Sequence, residues 1–347
     1  MAIRVLVVDD SVFFRTKLQI SLSADKDIQV VACASNSEEA LQRILELSPD
    51  VVTLDVEMPK MSGIDFLKEL IPKYPIPVVV VTSLPINALD ALRFGAVDFV
   101  KKPGTDPQST DHFTEKLKTT IKVASRARVK APIVQSTTSL ASRLSSTVAI
   151  SQTDAIIAIG ASTGGTEAII SVVKDLPETT PGIVIVQHMP ENFTTMYAER
   201  LNRICKMSAK EAADRDRVVT GQIIVAAGSY HLTLNKDASG YYINSKMGER
   251  VSGHCPSVDV LFDSVAEKAG KNAIGIILTG MGADGARGLT KMRQNGAYTI
   301  GQDKDSCVVY GMPMEAYKMG GVVRQLPLDS ISDEILYRLQ TMSKNKA

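Results

Sequence analysis

Along the first 120 residues, short runs rich in β-branched residues alternate with stretches whose apolar positions recur at helical spacing. The runs Ile3–Val8, Ile28–Cys33, Val51–Leu54, Val78–Val81 and Val97–Val100 are nearly continuous in apolar residues, the pattern of strands buried on both faces. Helical segments between successive strands imply right-handed crossovers, and so a parallel sheet with helices on both sides. Five βα units result, a doubly wound domain over residues 1–120. A second alternation begins after Asp154. There Ala155–Ile159, Ile183–Gln187, Ile223–Ala226 and Ile274–Leu278 read as buried strands, with helices expected after Gly164, Phe193, Ser257 and Gly282. His231–Leu234 and Tyr241–Asn244 flank Asp237–Gly240, which predicts a β-hairpin. The chain is therefore expected to be α/β, with a second doubly wound, Rossmann-like domain over 153–347 that carries the hairpin.

Between the two alternations the pattern lapses. Residues 121–152 hold five basic residues (Lys122, Arg126, Arg128, Lys130 and Arg143) and no acidic one, and Gln135–Ser146 is rich in Ser and Thr. This reads as a linker, with Ile121–Arg128 as a continuation of the preceding helix. Over the whole chain 39 basic residues nearly balance 38 acidic ones, and residues 1–120 carry 17 acidic against 13 basic. No chain-wide positive field is available to neutralise phosphates, so nucleic acid is not an expected partner. Cys33, Cys205, Cys255 and Cys307 form no C-x-x-C pair, which suggests neither a disulfide framework nor a zinc cluster and fits a reducing cytoplasm. No apolar run approaches the roughly 18 residues that span a bilayer. The apolar start Ile3–Val8 runs into Asp9 and Asp10 instead of a cleavage site, so neither secretion nor membrane insertion is expected.

Chemistry concentrates at the strand ends. The first strand ends in Asp9-Asp10, the third in Asp55, the fourth in Thr82, and Lys102-Pro103 follows the fifth. Parallel sheets place ligands at the carboxyl ends of their strands, so three carboxylates converge on one edge. They repel one another unless a hard divalent cation sits among them, and Mg²⁺ suits such oxygen donors. Thr82 and Lys102 can then offer a hydroxyl and an ammonium to a phosphoryl group on Asp55. Together, V-L-V-V-D-D-S, D-V-E-M-P-K-M-S-G and F-V-K-K-P resemble the marks of a response-regulator receiver domain, over essentially residues 1–120. The resemblance implies phosphorylation of Asp55 by a histidine kinase and signalling through Thr82 and Lys102. It also implies Mg²⁺ at Asp9, Asp10, Asp55 and the Glu57 backbone carbonyl.

In the second domain Gly160-Ala161-Ser162-Thr163-Gly164-Gly165 follows a strand and opens a helix. Its glycines permit a tight turn that exposes the Ser162 hydroxyl and aims backbone N–H groups at a developing oxyanion; a phosphate-binding turn fits the same residues. A serine needs a base, and the chain has four histidines. His188 follows a strand directly, at the edge that carries Ser162. His112 belongs to the first domain, while His231 and His254 remain alternatives. Asp284, in the glycine-rich turn after Ile274–Leu278, fits as the orienting carboxylate, with Met281 N–H near the oxyanion. Taken alone, Asp284 is equally a helix N-cap.

The set G-A-S-T-G-G, Q-H-M-P, H-C-P-S-V-D and T-G-M-G-x-D-G resembles the C-terminal catalytic domain of bacterial chemotaxis protein-glutamate methylesterases. This resemblance implies hydrolysis of γ-glutamyl methyl esters on the cytoplasmic helices of methyl-accepting chemoreceptors, with release of methanol and, in many members, deamidation of glutamines. It implies the triad Ser162, His188 and Asp284, with Met281 at the oxyanion hole, and no cofactor for ester hydrolysis. The resemblance also implies a basic residue in many relatives at the position that Cys255 holds here. The expected protein is thus a phosphorylation-activated serine esterase in which the receiver blocks access to Ser162 until Asp55 is phosphorylated. Two other classes compete. A receiver-plus-adaptor protein would bind without turnover, and a transcriptional regulator would need a basic recognition helix that the second half lacks.

Overall fold

The computed structural model describes residues 2–58, 61–104, 107–129 and 154–344. The Ser/Thr-rich stretch Gln135–Ser146 and the expected boundary at residue 153 lie outside them. The chain divides into two compact units, each described by itself below.

The first unit is a five-stranded parallel sheet in the order β2-β1-β3-β4-β5. Its strands are β1 (Ile3–Val8), β2 (Ile28–Ala34), β3 (Val51–Asp55), β4 (Val78–Thr82) and β5 (Asp98–Lys101). Every residue of β3 and β4 is buried, which explains why both read as unbroken apolar runs. Helices α1 (Val12–Ser23), α2 (Ser37–Leu47), α3 (Gly63–Lys73), α4 (Pro85–Arg93) and α5 (Pro107–Ala124) connect and cover the strands. Ser11, Asn36 and Ser62 start the first three by accepting from the N–H of Phe14, Glu39 and Asp65. Helix α5 does run past residue 120, as the sequence suggests, and ends at Ala124.

The second unit is built on a seven-stranded, wholly parallel sheet in the order β14-β13-β12-β6-β7-β9-β8. Its central strands are β6 (Ile156–Ala161), β7 (Ile183–Gln187), β9 (Gln222–Val225) and β12 (Ala273–Ile277). These are the four strands the apolar pattern predicts, β7 with the expected ends and the other three with ends displaced by one or two residues. Three more were not anticipated: β8 (Ser208–Glu211), β13 (Tyr298–Gln302) and β14 (Arg324–Leu326). The reason is physical. β8 and β14 are short edge strands with polar sequences, Ser-Ala-Lys-Glu and Arg-Gln-Leu, and β13 interleaves Thr, Gly and Gln with its apolar residues. The hairpin forms, longer than expected, from β10 (Tyr230–Asp237) and β11 (Gly240–Met247), as a separate two-stranded sheet. Gly240, at φ 110°, makes its turn. Helix α6 (Gly165–Val173) follows β6, α7 (Phe193–Ile204) follows β7, α8 (Val258–Lys268) precedes β12 and α9 (Ala286–Gln294) follows it. Ile156, Val184, Ile224, Leu232, Ile243, Phe262 and Leu289 share one core that joins the sheet, α8, α9 and the hairpin.

Candidate active site and receiver pocket

Strand order locates both sites. In the first sheet the direction of strand addition reverses between β1 and β3, and Asp9, Asp10 and Asp55 stand at the carboxyl ends of those two strands. In the second it reverses between β6 and β12, where Ser162 and the turn leading to Asp284 stand. Such switch points open a crevice because the connections on either side run to opposite faces of the sheet.

In the first crevice, Lys102 Nζ donates to Asp9 Oδ2 at 2.9 Å and to Asp55 Oδ2 at 2.6 Å. The remaining oxygens take backbone donors: Ser11 N–H lies 2.9 Å from Asp9 Oδ1, and Glu57 N–H lies 3.0 Å from Asp55 Oδ1. Asp9, Asp55 and Thr82 are buried, whereas Asp10 and the Glu57 side chain are exposed. Thr82 Oγ1 accepts from Leu84 N–H at 3.1 Å. Burial pushes the Asp9 carboxyl above its ordinary range, against the pull of Lys102, and the nearby Asp55 adds to the rise. Burial also works against the Lys102 ammonium, but its bonds to Asp55 and Asp9 outweigh that and hold it above the usual lysine value. Oxygens of Asp9, Asp10 and Asp55 lie within 4.8 Å of one another. Three carboxylates against the Lys102 ammonium and the Arg15 guanidinium, which donates to the Asp9 carbonyl at 2.5 Å, leave the crevice short of positive charge, which fits a small oxygen-preferring divalent cation. The motif glycine Gly63 has its own reason: a Cβ there would stand 2.3 Å from the Asp55 carbonyl oxygen.

In the second crevice, His188 Nε2 lies 2.8 Å from Asp284 Oδ2, with both side chains buried. Asp284 also accepts from Ser257 Oγ (2.7 Å), Val258 N–H (2.8 Å) and Asp259 N–H (3.0 Å). Asp284 does cap a helix, but that helix is α8, whose Val258 and Asp259 N–H it accepts, whereas the N-cap of its own following helix α9 is Gly285, without a side-chain bond. Asp259, in the first turn of α8, returns the favour by accepting from Gly288 N–H of α9 at 2.7 Å. The two helix starts therefore lock together around the carboxylate, which also gains from the positive end of α8. Burial pushes Asp284 up, but the bonds from His188, Asp259 N–H and Ser257 outweigh it and hold the carboxyl below its ordinary value.

Backbone bonds bring Ser162 to the same corner. Its N–H donates to the Thr279 carbonyl at 3.0 Å, and His188 N–H donates to the Ala161 carbonyl at 3.1 Å. The buried Gln187 amide spans the two residues, donating to the Ser162 carbonyl at 2.9 Å and the His188 carbonyl at 3.3 Å. Gly280 must be glycine here, since a Cβ would fall 2.7 Å from Ser162 Cβ. The Gly280 N–H and carbonyl are tied to Val309, Gly311 and Met312, which fixes the turn that leads into the half-buried Met281. His188 Nδ1 has no hydrogen-bond partner, so the serine-to-imidazole bond is not formed in this state; such bonds often tighten only when substrate binds.

The other histidines separate cleanly. His112 is exposed on α5. His231 bonds through Nε2 to the Glu249 carbonyl at 2.7 Å and accepts Ser257 N–H on Nδ1 at 3.3 Å, so both ring nitrogens serve the loop before α8. His254 touches His188 face to face. The residue pattern alone does not single out Ser257, Gln187 or Thr279; for Ser257 the signal it does carry is its place just before the apolar start of α8, inside H-C-P-S-V-D.

Comparison with known proteins bears on the whole chain. Residues 157–335 match the family model described as CheB methylesterase, and residues 5–113 match that of the response regulator receiver domain. A protein-glutamate methylesterase/protein-glutamine glutaminase of Syntrophomonas wolfei is 52% identical over 342 residues, covering 97% of each chain. One of Syntrophus aciditrophicus is 49% identical over 338 residues, covering 96% of this chain and 98% of that one. The crystal structure of the Thermotoga maritima CheB methylesterase catalytic domain superposes with TM-score 0.52 at 34% identity, covering 54% of this chain and all of that one. With a receiver domain ahead of a methylesterase domain, and relatives of this similarity over nearly its full length, the chain belongs to the CheB protein-glutamate methylesterase/protein-glutamine glutaminase family.

Proposed function

We propose that this protein hydrolyses γ-glutamyl methyl esters on the cytoplasmic helices of methyl-accepting chemoreceptors, releasing methanol, and deamidates glutamines at such sites by the same chemistry. His188 removes the Ser162 proton through Nδ1 while Nε2–H stays on Asp284; Ser162 Oγ attacks the ester carbonyl and methanol leaves with that proton. Water, activated by the same nitrogen, then cleaves the glutamyl-serine ester. Asp284 holds the tautomer and stabilises the imidazolium, and its four accepted bonds keep it ionised for that task. Met281 N–H supplies the oxyanion donor. The observation that carries this reading is the His188–Asp284 bond, with Nδ1 buried and unpaired at the sheet edge that bears Ser162.

The receiver pocket supports control of that reaction by phosphorylation of Asp55, with a histidine kinase as donor. Asp9, Asp10, Asp55 and the Glu57 carbonyl would hold Mg²⁺, which supplies charge neutralisation for phosphoryl transfer when bound. Lys102 and Thr82 would shift their bonds to the phosphoryl oxygens. Among the described residues no helix is long and apolar enough to cross a membrane, which fits a cytoplasmic enzyme meeting the receptor's cytoplasmic helices. The test is methanol release from methylated receptor by the purified full chain, with and without a phosphodonor. Turnover that rises with the donor is expected, whereas binding without methanol release would instead make the protein an adaptor.

A further inference from the structure

His254 has no part in the scheme above, yet its ring lies parallel to that of His188, with centroids 3.7 Å apart and planes within 7°. The loop that carries it is fixed from both sides. Val251 and His254 exchange both backbone bonds at 3.0 Å, closing a turn whose central residues, Ser252 (φ 53°) and Gly253 (φ 81°), both have the positive φ that a mirror-image hairpin turn requires. Three residues on, Ser257 donates to Asp284 at 2.7 Å. The stretch is therefore anchored at one end by its own turn and at the other by the carboxylate that holds the base.

This matters because the His188 ring has a single in-plane anchor, Nε2 on Asp284. One bond fixes that nitrogen but leaves the ring free to tilt about χ2, a broad torsion, and a tilt swings Nδ1 off the serine. A second in-plane bond cannot serve as the brake, since Nδ1 must keep its lone pair for the Ser162 proton. A flat group against the ring face can. We propose that His254 is a positioning residue whose ring plane clamps the His188 imidazole, keeping Nδ1 aimed at Ser162. The inference rests on the reading of Ser162, His188 and Asp284 as the reacting groups. What it requires at position 254 is a planar ring, not a titrating one.

The test compares His254→Ala, His254→Leu and His254→Phe in the full chain by methanol release from methylated receptor, with thermal melting of each variant. Misplacement of a reacting group by about 1 Å costs on the order of 10²-fold, so Ala and Leu should lower kcat by about 10-fold or more with KM within about two-fold. Phe should recover kcat to within about three-fold of wild type. If Ala does not fold, the contrast of Leu with Phe carries the test. Wild-type kcat in Leu or Ala overturns the proposal, as does a folded Phe variant no better than Leu. A loss confined to KM overturns it too, by making His254 a substrate contact. Ser162→Ala is assayed alongside: if it stays active, the nucleophile assignment has failed, an outcome separable from any result at position 254.

Discussion

The two crevices use the same sheet edge for opposite electrostatic ends. In the receiver, Asp9 and Asp55 share one lysine, and the Asp9 carboxyl is driven up by burial that its donors do not offset. In the esterase unit, Asp284 is buried just as fully, yet four donors hold it ionised and below its ordinary value. Burial alone thus decides neither case; the donors pointed at each carboxylate, and the charge of the neighbour beside it, do. The first pocket is left wanting positive charge, as suits a site for a cation and a phosphoryl group. The second is complete, as suits a carboxylate that must stay put while a neighbouring ring gains and loses a proton.

The comparison predicts how each site breaks. The largest effect belongs to Asp55→Asn, which should abolish Mg²⁺-dependent labelling by acetyl phosphate, because an amide is a far poorer phosphoacceptor than a carboxylate. Basal methanol release should survive, since Ser162, His188 and Asp284 all belong to the other unit. Acid-stable, Mg²⁺-independent labelling of the variant would place the phosphate elsewhere.

Next comes Asp284→Asn. It loses tautomer control and imidazolium stabilisation while keeping nucleophile and base, so kcat should fall on the order of 10²-fold or more, yet less than when Ser162 or His188 is removed. The same variant sharpens the electrostatic contrast in stability. A carboxyl whose folded pKa is depressed adds stability above its unfolded value that fades as pH falls through the folded one. Asp284→Asn should therefore cost roughly 1.5–3 kcal/mol near pH 7, the worth of a bond or two to a charged group, with the gap to wild type closing as pH falls below 4. Urea unfolding at a series of pH values reads this directly; a gap independent of pH would mean that Asp284 is not stabilised as an anion.

The smallest effect belongs to Glu57→Ala. Its side chain is exposed and only its backbone N–H bonds to Asp55, so the Mg²⁺ concentration for half-maximal labelling should move by less than roughly five-fold, the scale of one exposed charge. A larger change would bring the side chain into the pocket.

Much of this architecture is legible in the residues. The strands that carry Asp9, Asp55, Ser162 and His188 are buried on both faces, so they appear as apolar runs that end abruptly in polar groups, and the polar group is then the site. What stays hidden depends on tertiary packing. The Ser257 bond to Asp284 spans 27 residues and exists only because α8 packs against α9. Gln187 looks like an ordinary strand end until its amide is seen joining the backbone of Ser162 to that of His188. The edge strands β8 and β14 escape notice because short, polar sequences suit the rim of a sheet as well as a loop. The strand pattern by itself leaves His231 and His254 beside His188, and only the fold shows that His231 is committed at both nitrogens and that the His254 ring stacks on that of His188.

Whether Ser162 performs the ester hydrolysis is read from methanol release from methylated receptor by full-length Ser162→Ala, measured alongside phosphorylation of the same preparation. The expected loss in hydrolysis is on the order of 10³-fold or more, with labelling at Asp55 unchanged. Substantial residual turnover in a folded, phosphorylatable Ser162→Ala protein would contradict that role for Ser162.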